Sequence, residues 1–315
     1  MADTAALATL THRRYDPEQD FPRLVEYHRS AWALTGLTGN WHVGDLNYIV
    51  WENWTFASRE TQPFYIWADG TGAIQAFALI NHHWGAYQLR CHPSIRGSRL
   101  LEGLVQWCEE HLCENAINKE RIGAMGVDAA DQAFAACLQA RGYSREGEGN
   151  ADIVLAHGLD ELAVPQVPNG YAIKAIGLDD VEGRAGLARA IWDDWGMWGD
   201  AKVTGAQYGD YIQTAFYASG LDWVAVTPEG QFVAAITCGI DPEGRVGTVM
   251  DMGTLPDHRR KGLARALMLT ALQGLKEAGM KRVLLSTGFD DARQFYQSVG
   301  FTLARQAHAY ELKTS

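Results

Sequence analysis

Two short patterns recur far apart in this chain, and they constrain its fold more than any other feature. Pro93-Ser94-Ile95-Arg96 and Pro256-Asp257-His258-Arg259 share the spacing Pro-x-x-Arg at a separation of 163 residues, each directly before an amphipathic helical segment. Arg141-Gly142-Tyr143 and Val299-Gly300-Phe301 recur at a separation of 158. The turn Asp69-Gly70-Thr71-Gly72 precedes the apolar run Ala73–Ile80 just as Pro228-Glu229-Gly230 precedes Phe232–Gly239. A long recurrence with a drifting offset signals two copies of one domain rather than an array of short repeats. Between the copies, Val164-Pro165-Gln166-Val167-Pro168-Asn169-Gly170 is too rich in proline for a helix or a central strand. The expected organisation is a domain over residues 1–160, a linker over 161–169 and a second domain over 170–315, both of α/β class.

The second copy reads in detail. Strands are expected at Tyr171–Ile176, Trp223–Thr227, Phe232–Gly239, Gly247–Leu255 and Val283–Ser286, with helices at Asp179–Asp194 and Gln207–Ala218. A long helix is expected over Gly262–Ala278. Its stripe Leu263, Leu267, Ala271 and Leu275 is widened by Ala264, Met268 and Leu272, so one broad face must be buried. A helix over Asp290–Ser298, closed by Gly300, leads into a terminal strand over Phe301–Leu312.

Composition excludes several functions. The net charge is −11, which argues against binding a nucleic-acid backbone and leaves room for cationic substrates. The five cysteines, at 91, 108, 113, 137 and 238, form no Cys-x-x-Cys pair, so free thiols in a reducing compartment are expected and a metal site is not. Cys108 and Cys113 fall on a helix and are expected in the core. Adjacent His82 and His83 point to opposite faces of a strand, which also argues against a shared metal. No basic stretch ahead of a long apolar run opens the chain, and no run approaches the ~20 apolar residues of a membrane helix. A cytoplasmic protein is expected, without nucleic-acid or membrane partners, as a monomer or homodimer.

Chemistry concentrates in Thr254-Leu255-Pro256-Asp257-His258-Arg259-Arg260-Lys261-Gly262-Leu263-Ala264, between an expected strand and an expected helix. Three consecutive cations at a helix N-terminus oppose the macrodipole, costing a few tenths of a kcal/mol each. A bound anion, with Gly262 allowing close backbone approach, explains the violation; a solvated basic loop is the alternative. The pattern Arg259-x-x-Gly262-x-Ala264, together with Ala292-x-x-x-Tyr296-x-x-x-Gly300-Phe301, resembles the GNAT superfamily of N-acetyltransferases, and is similar to its tandem-domain, mycothiol synthase-like members.

That resemblance implies a fold of two tandem GNAT-like domains, each a mixed, largely antiparallel sheet flanked by helices. It implies acetyl-coenzyme A as cofactor, its pantetheine arm on Met252, Gly253, Thr254 and Leu255 and its pyrophosphate on Arg259, Arg260, Lys261, Gly262, Leu263, Ala264 and Arg265. Tyr296 would protonate the departing thiolate, and the amine would attack directly in a ternary complex. The pattern itself fixes no general base; Asp251, on the strand beside the cofactor arm, could serve directly or through water, or else face solvent as an ordinary strand residue. Phe289 departs from the family's pattern, standing where an asparagine often contacts the cofactor. In the first copy, Arg99 and Leu101 occupy the two small positions of the loop and Leu138 the tyrosine position, marking a degenerate domain. Trp192, Asp193, Asp194, Trp195 and Trp198, with Asp200, fall where the family builds one wall of the acceptor site. Aromatic faces with carboxylates suit a small cationic amine, or else the tryptophans pack an interface. Trp32, Trp41, Trp51 and Trp54 echo them in the first copy. A non-catalytic acyl-coenzyme-A sensor is the alternative from another class, and acylation of protein termini or lysines a further one.

Overall fold

The computed structural model describes residues 9–36, 41–55, 63–82, 84–115, 120–147, 152–192, 203–214 and 217–314. In chain order the strands are β1 (Thr11–Arg14), β2 (Phe64–Ala68), β3 (Ile74–Asn81), β4 (Ala86–Cys91), β5 (Arg121–Asp128), β6 (Ser144–Arg145), β7 (Asp152–Gly158), β8 (Ala172–Ala175), β9 (Asp222–Val226), β10 (Phe232–Asp241), β11 (Val246–Thr254), β12 (Arg282–Thr287) and β13 (Thr302–Lys313). The helices are α1 (Pro17–Thr35), α2 (Val43–Thr55), α3 (Arg99–Asn115), α4 (Gln132–Ala140), α5 (Val181–Trp192), α6 (Gly205–Ile212), α7 (Leu263–Glu277) and α8 (Asp290–Val299). Each of the two units carries a mixed, largely antiparallel run of strands flanked by helices, as the resemblance implies.

The two compact units are not consecutive stretches of chain. One comprises Met1–Trp41, Ser58–Ile153 and Arg305–Ser315; the other comprises His42–Ala57 and Val154–Ala304. The first unit therefore takes most of the C-terminal strand β13, and the second takes α2 and most of β7 from the first half.

In the first unit the strand order is β1-β2-β3-β4-β5-β13. β4 and β5 are parallel and the remaining pairs antiparallel. α3 buries Leu101, Leu104, Val105, Cys108 and Leu112, the i, i+3, i+4, i+7 stripe of a helix on a sheet. Cys108 is thus in the core as expected, whereas Cys113, one position beyond the stripe, is exposed.

In the second unit the order is β7-β12-β11-β10-β9-β8. β11 and β12 are parallel, and β8, β9, β10 and β11 pair antiparallel in turn. The expected stripe Leu263, Leu267, Ala271 and Leu275 of α7 is buried along its length, with Met268 and Leu272, whereas Ala264 is only half-buried. α6 stops six residues short of the expected Ala218. The Thr214 hydroxyl donates to the Tyr211 carbonyl, diverting an acceptor the next turn would need. α2 lies close on β10 and β11: a Cβ added to Gly44 would come within 2.9 Å of the Gly239 Cα and the Thr248 Cγ2. His42 fixes its start, accepting at Nδ1 from the Gly44 amide and donating at Nε2 to the Val246 carbonyl. The Thr248 hydroxyl donates to Asp45 at 2.7 Å.

Candidate functional site

The second unit's sheet opens into a fork. β11 and β12 pair only over Val246–Val249 and Arg282–Leu285. Opposite β10, Val249 faces Cys238 while Asp251 faces Thr237, so Met250 is an extra residue that bends β11 at that point. Beyond this bulge Met252, Gly253 and Thr254 stay paired to β10, and the Leu255 amide donates to the Val233 carbonyl. Their other edge meets no strand among the described residues, leaving a row of backbone donors and acceptors. A side chain at Gly253 would collide with Ile191, so the glycine lets α5 lie tight over this stretch.

The strand runs into a single 3₁₀ turn, Pro256–His258, and then into two left-handed residues, Arg260 at φ 62° and Gly262 at φ 89°. A non-glycine residue in that region costs about 1 kcal/mol or more, strain that clusters at functional sites. α7 begins at Leu263 with no side-chain cap. Among the described residues none of the amides from Arg260 to Arg265 donates a hydrogen bond. The Leu263 side chain is buried in the core, so only its amide is available. Arg259 is tied by Nε to the Thr254 carbonyl, Arg265 by Nη1 to the Ser298 carbonyl, and Arg259, Arg260 and Lys261 are exposed. Free amides, a helix N-terminus and four cations fit a diphosphate. At Gly262 an added Cβ would find its nearest neighbour, the Pro168 ring, at an ordinary 3.6 Å. The glycine is favoured by its φ, and a side chain there would lie in contact with the Pro168 ring.

α8 carries Tyr296, and Gly300 at φ 111° ends the helix where a Cβ would meet the His157 Nε2 at 2.9 Å. Phe301 then turns back, its ring 6.0 Å from that of Tyr296. Burial, reinforced by the negative charge of Asp251, pushes the Tyr296 phenol up to about 12. Phe289 precedes α8 without a side-chain cap and is 50% exposed.

Asp251 is not the solvent-facing strand residue that was one of its two expected settings. It is buried, and its Oδ2 accepts from the Arg184 Nη2 at 2.9 Å. Arg184, on α5, is 1% exposed and also reaches Thr237 at 2.9 Å and Asp222 at 3.4 Å. Asp222 in turn accepts from the Tyr208 hydroxyl at 2.5 Å and the Tyr217 hydroxyl at 3.3 Å. Burial raises the carboxyl of Asp222 while Arg184 opposes the shift. Sequence reasoning missed this network, although Arg184 breaks the apolar stripe of Leu187, Ala188 and Ile191 at helical spacing. A charge in that phase is the available signal. Of the acceptor wall, Trp192 ends α5 half-buried. Asp193, Asp194, Trp195, Trp198 and Asp200 lie outside the described residues.

The first unit builds the same fork and fills it. β4 and β5 pair at Ala86–Gly123 and Tyr87–Ala124. The guanidinium of Arg90, 6% exposed, lies so near Gly126 that a Cβ there would come within 2.7 Å of Nη2. Burial drives Arg90 down to about 10. At the start of α3 the Ser98 hydroxyl accepts from the Leu100 amide and its carbonyl from the Leu101 amide. Leu138, at the tyrosine position, is fully buried.

Residues 186–301 match the Acetyltransferase (GNAT) family. The fold is similar to a GCN5-related N-acetyltransferase from Sphaerobacter thermophilus (TM-score 0.63, 18% identity, covering 97% of this chain and 96% of that one). It is similar also to a tandem GNAT protein from the clavulanic acid biosynthesis pathway (0.62, 15%, 96% and 98%). A third similar structure is the N-myristoyltransferase of Saccharomyces cerevisiae (0.58, 10%, 97% and 78%). No curated protein matches the sequence.

Proposed function

We propose that this chain, whose residues 186–301 match the Acetyltransferase (GNAT) family, is an acetyl-coenzyme-A-dependent N-acetyltransferase acting on the primary amine of a small cationic molecule in a ternary complex. The observation that carries the reading is the run of unengaged amides from Arg260 to Arg265, wrapped around two left-handed residues beside an unpaired strand edge. The transfer chemistry is assigned to residues 170–315, with residues 1–160 as a degenerate copy. The filled fork at Arg90 and the self-capped α3 support that division.

In this reading Met252–Leu255 offer backbone to the amide-bearing arm of the cofactor, and Arg259–Arg265 hold its diphosphate. When bound, the cofactor supplies a thioester carbonyl open to attack. Asp251 receives the proton the ammonium must lose before its nitrogen attacks. Tyr296 would donate a hydrogen bond to the sulfur as the carbon–sulfur bond breaks; the nitrogen's second proton goes to solvent and the thiolate takes one from it, so the products are the amide and the free thiol. Five free cysteines support placing it in the cytoplasm.

The test is release of thiol from acetyl-coenzyme A by the full chain against a panel of small amines, with Gly262→Glu in parallel. Turnover in the wild type and a large rise in the cofactor's dissociation constant in the variant are expected. Binding without turnover across the panel leaves the acyl-coenzyme-A sensor in place of the enzyme, and unimpaired cofactor binding by Gly262→Glu refutes the loop assignment.

A further inference from the structure

Within the described part of the second unit, two acidic and one basic side chain are buried together beneath the fork: Asp222, Asp251 and Arg184. Buried ion pairs seldom stabilise a fold beyond what apolar side chains of the same size would give. This one is also incompletely satisfied, because the Arg184 Nη1 is buried and meets no hydrogen-bond partner. The satisfied contacts have a direction: Tyr208 and Tyr217 donate to Asp222, Arg184 spans Asp222 and Thr237, and its Nη2 ends on one oxygen of Asp251. Among the described residues the other oxygen, Oδ1, accepts no hydrogen bond. Asp251 is also the charge that acts on the Tyr296 phenol, so it is electrostatically coupled to the opening between β11 and β12.

We propose that Arg184, anchored by Asp222 and Thr237, is a positioning residue that holds Asp251 by one carboxylate oxygen and so keeps the other presented to the acceptor's ammonium group. The cluster then carries one negative charge in excess, which makes it the counter-charge for a cationic acceptor at the reacting nitrogen itself. This deepens the acetyltransferase reading and rests on it. The ammonium nitrogen gives one proton to the Asp251 Oδ1 before attack and a second to solvent as the amide forms. The departing thiolate takes one up from solvent, Asp251 returns its proton to solvent, and Arg184 keeps all of its own. Lysine in place of Arg184 supplies the charge but not the planar fork whose Nε reaches Asp222 while its Nη2 reaches Thr237 and Asp251.

The experiment compares wild type, R184K, R184M and R184M/D222N, using the best amine found for the wild type. Steady-state kinetics are measured alongside coenzyme A affinity by calorimetry and melting temperature. R184M leaves two buried carboxylates without a cation and is expected to lose stability; neutralising Asp222 in the double variant relieves that repulsion. The expected result is a fall of at least about tenfold in kcat for both R184M and the double variant, within the usual worth of general base catalysis. R184K recovers part of the loss, and the dissociation constant for coenzyme A stays within about twofold throughout. Wild-type kcat in the double variant overturns the inference, making Arg184 a counter-ion only. Parallel loss of coenzyme A binding and turnover in the double variant overturns it too, because Arg184 then holds the fold. A wild-type chain that binds coenzyme A but acylates no amine refutes the acetyltransferase reading and this inference with it, before any variant is made.

Discussion

Replacing Tyr296 with phenylalanine removes one oxygen from a half-buried ring whose phenol is pushed up to about 12. An ordinary thiol ionises near 8.5, so the phenol is the weaker acid by about 3.5 units. At about 1.36 kcal/mol per unit, complete proton transfer from Tyr296 to a departing thiolate would be uphill by roughly 5 kcal/mol. In the proposed reaction Tyr296 would therefore keep its proton and donate a hydrogen bond to the developing negative charge on sulfur. Hydrogen bonds to charged partners are worth about 1.5–3 kcal/mol, which corresponds to about a 10- to 150-fold fall in kcat for Tyr296→Phe. The assay is single-turnover release of free thiol at saturating amine, followed from pH 7 to 10, with coenzyme A affinity measured separately. Affinity should be unchanged, and no basic limb in this range should belong to Tyr296. Two results refute the reasoning: an unchanged single-turnover rate in the variant, or a wild-type basic limb near pH 10 that Tyr296→Phe abolishes.

Three further outcomes are expected. Gly44→Ala should destabilise the second unit: alanine gains up to about 1 kcal/mol as a helix former, but overpacking against the Gly239 backbone at 2.9 Å costs about 1–3 kcal/mol. A melting temperature that rises instead means α2 is not docked on β10. His111, stacked on Trp107 at 4.8 Å, is pushed down to about 4, by burial first and then by His82, Arg14 and His12. The unfolded chain takes up that proton first, so the stability is present above about pH 6.5 and lost from there down to about pH 4. Allowing for its partial exposure, the loss is roughly 1 kcal/mol, and thermal melts of His111→Phe should show a correspondingly shallower acid dependence. A chain starting at residue 161 lacks α2 and β7 and should show no cooperative melt by circular dichroism; a sharp transition would contradict the division of the units.

The features that the sequence made legible are local and periodic. The α7 stripe, the Gly262 loop and the Tyr296 helix each announce themselves within about fifteen residues, through spacing or through a glycine whose conformation is demanded. The Met250 bulge does not, because it is a mismatch between two strands and no single strand records it. Arg184, Asp222 and Asp251 are separated by tens of residues and meet only after α5 packs on the sheet. Alternation along β7 or β13 marks a strand without indicating which unit receives it. Thr214 ends α6 through one hydroxyl, a competition that helix periodicity does not see.

The exchange of segments also sets a timetable for synthesis. A domain at the start of a chain ordinarily completes itself while the ribosome is still adding later residues. Here β5 waits for its antiparallel neighbour until residues 307–313 have been translated. During that interval the first unit presents an open strand edge, the feature most prone to pairing with a foreign chain. The second unit's α2, made before residue 60, has no sheet to lie on until β10 and β11 emerge. Neither unit finishes early: β13 pairs with β5 only after the second unit's strands have been made.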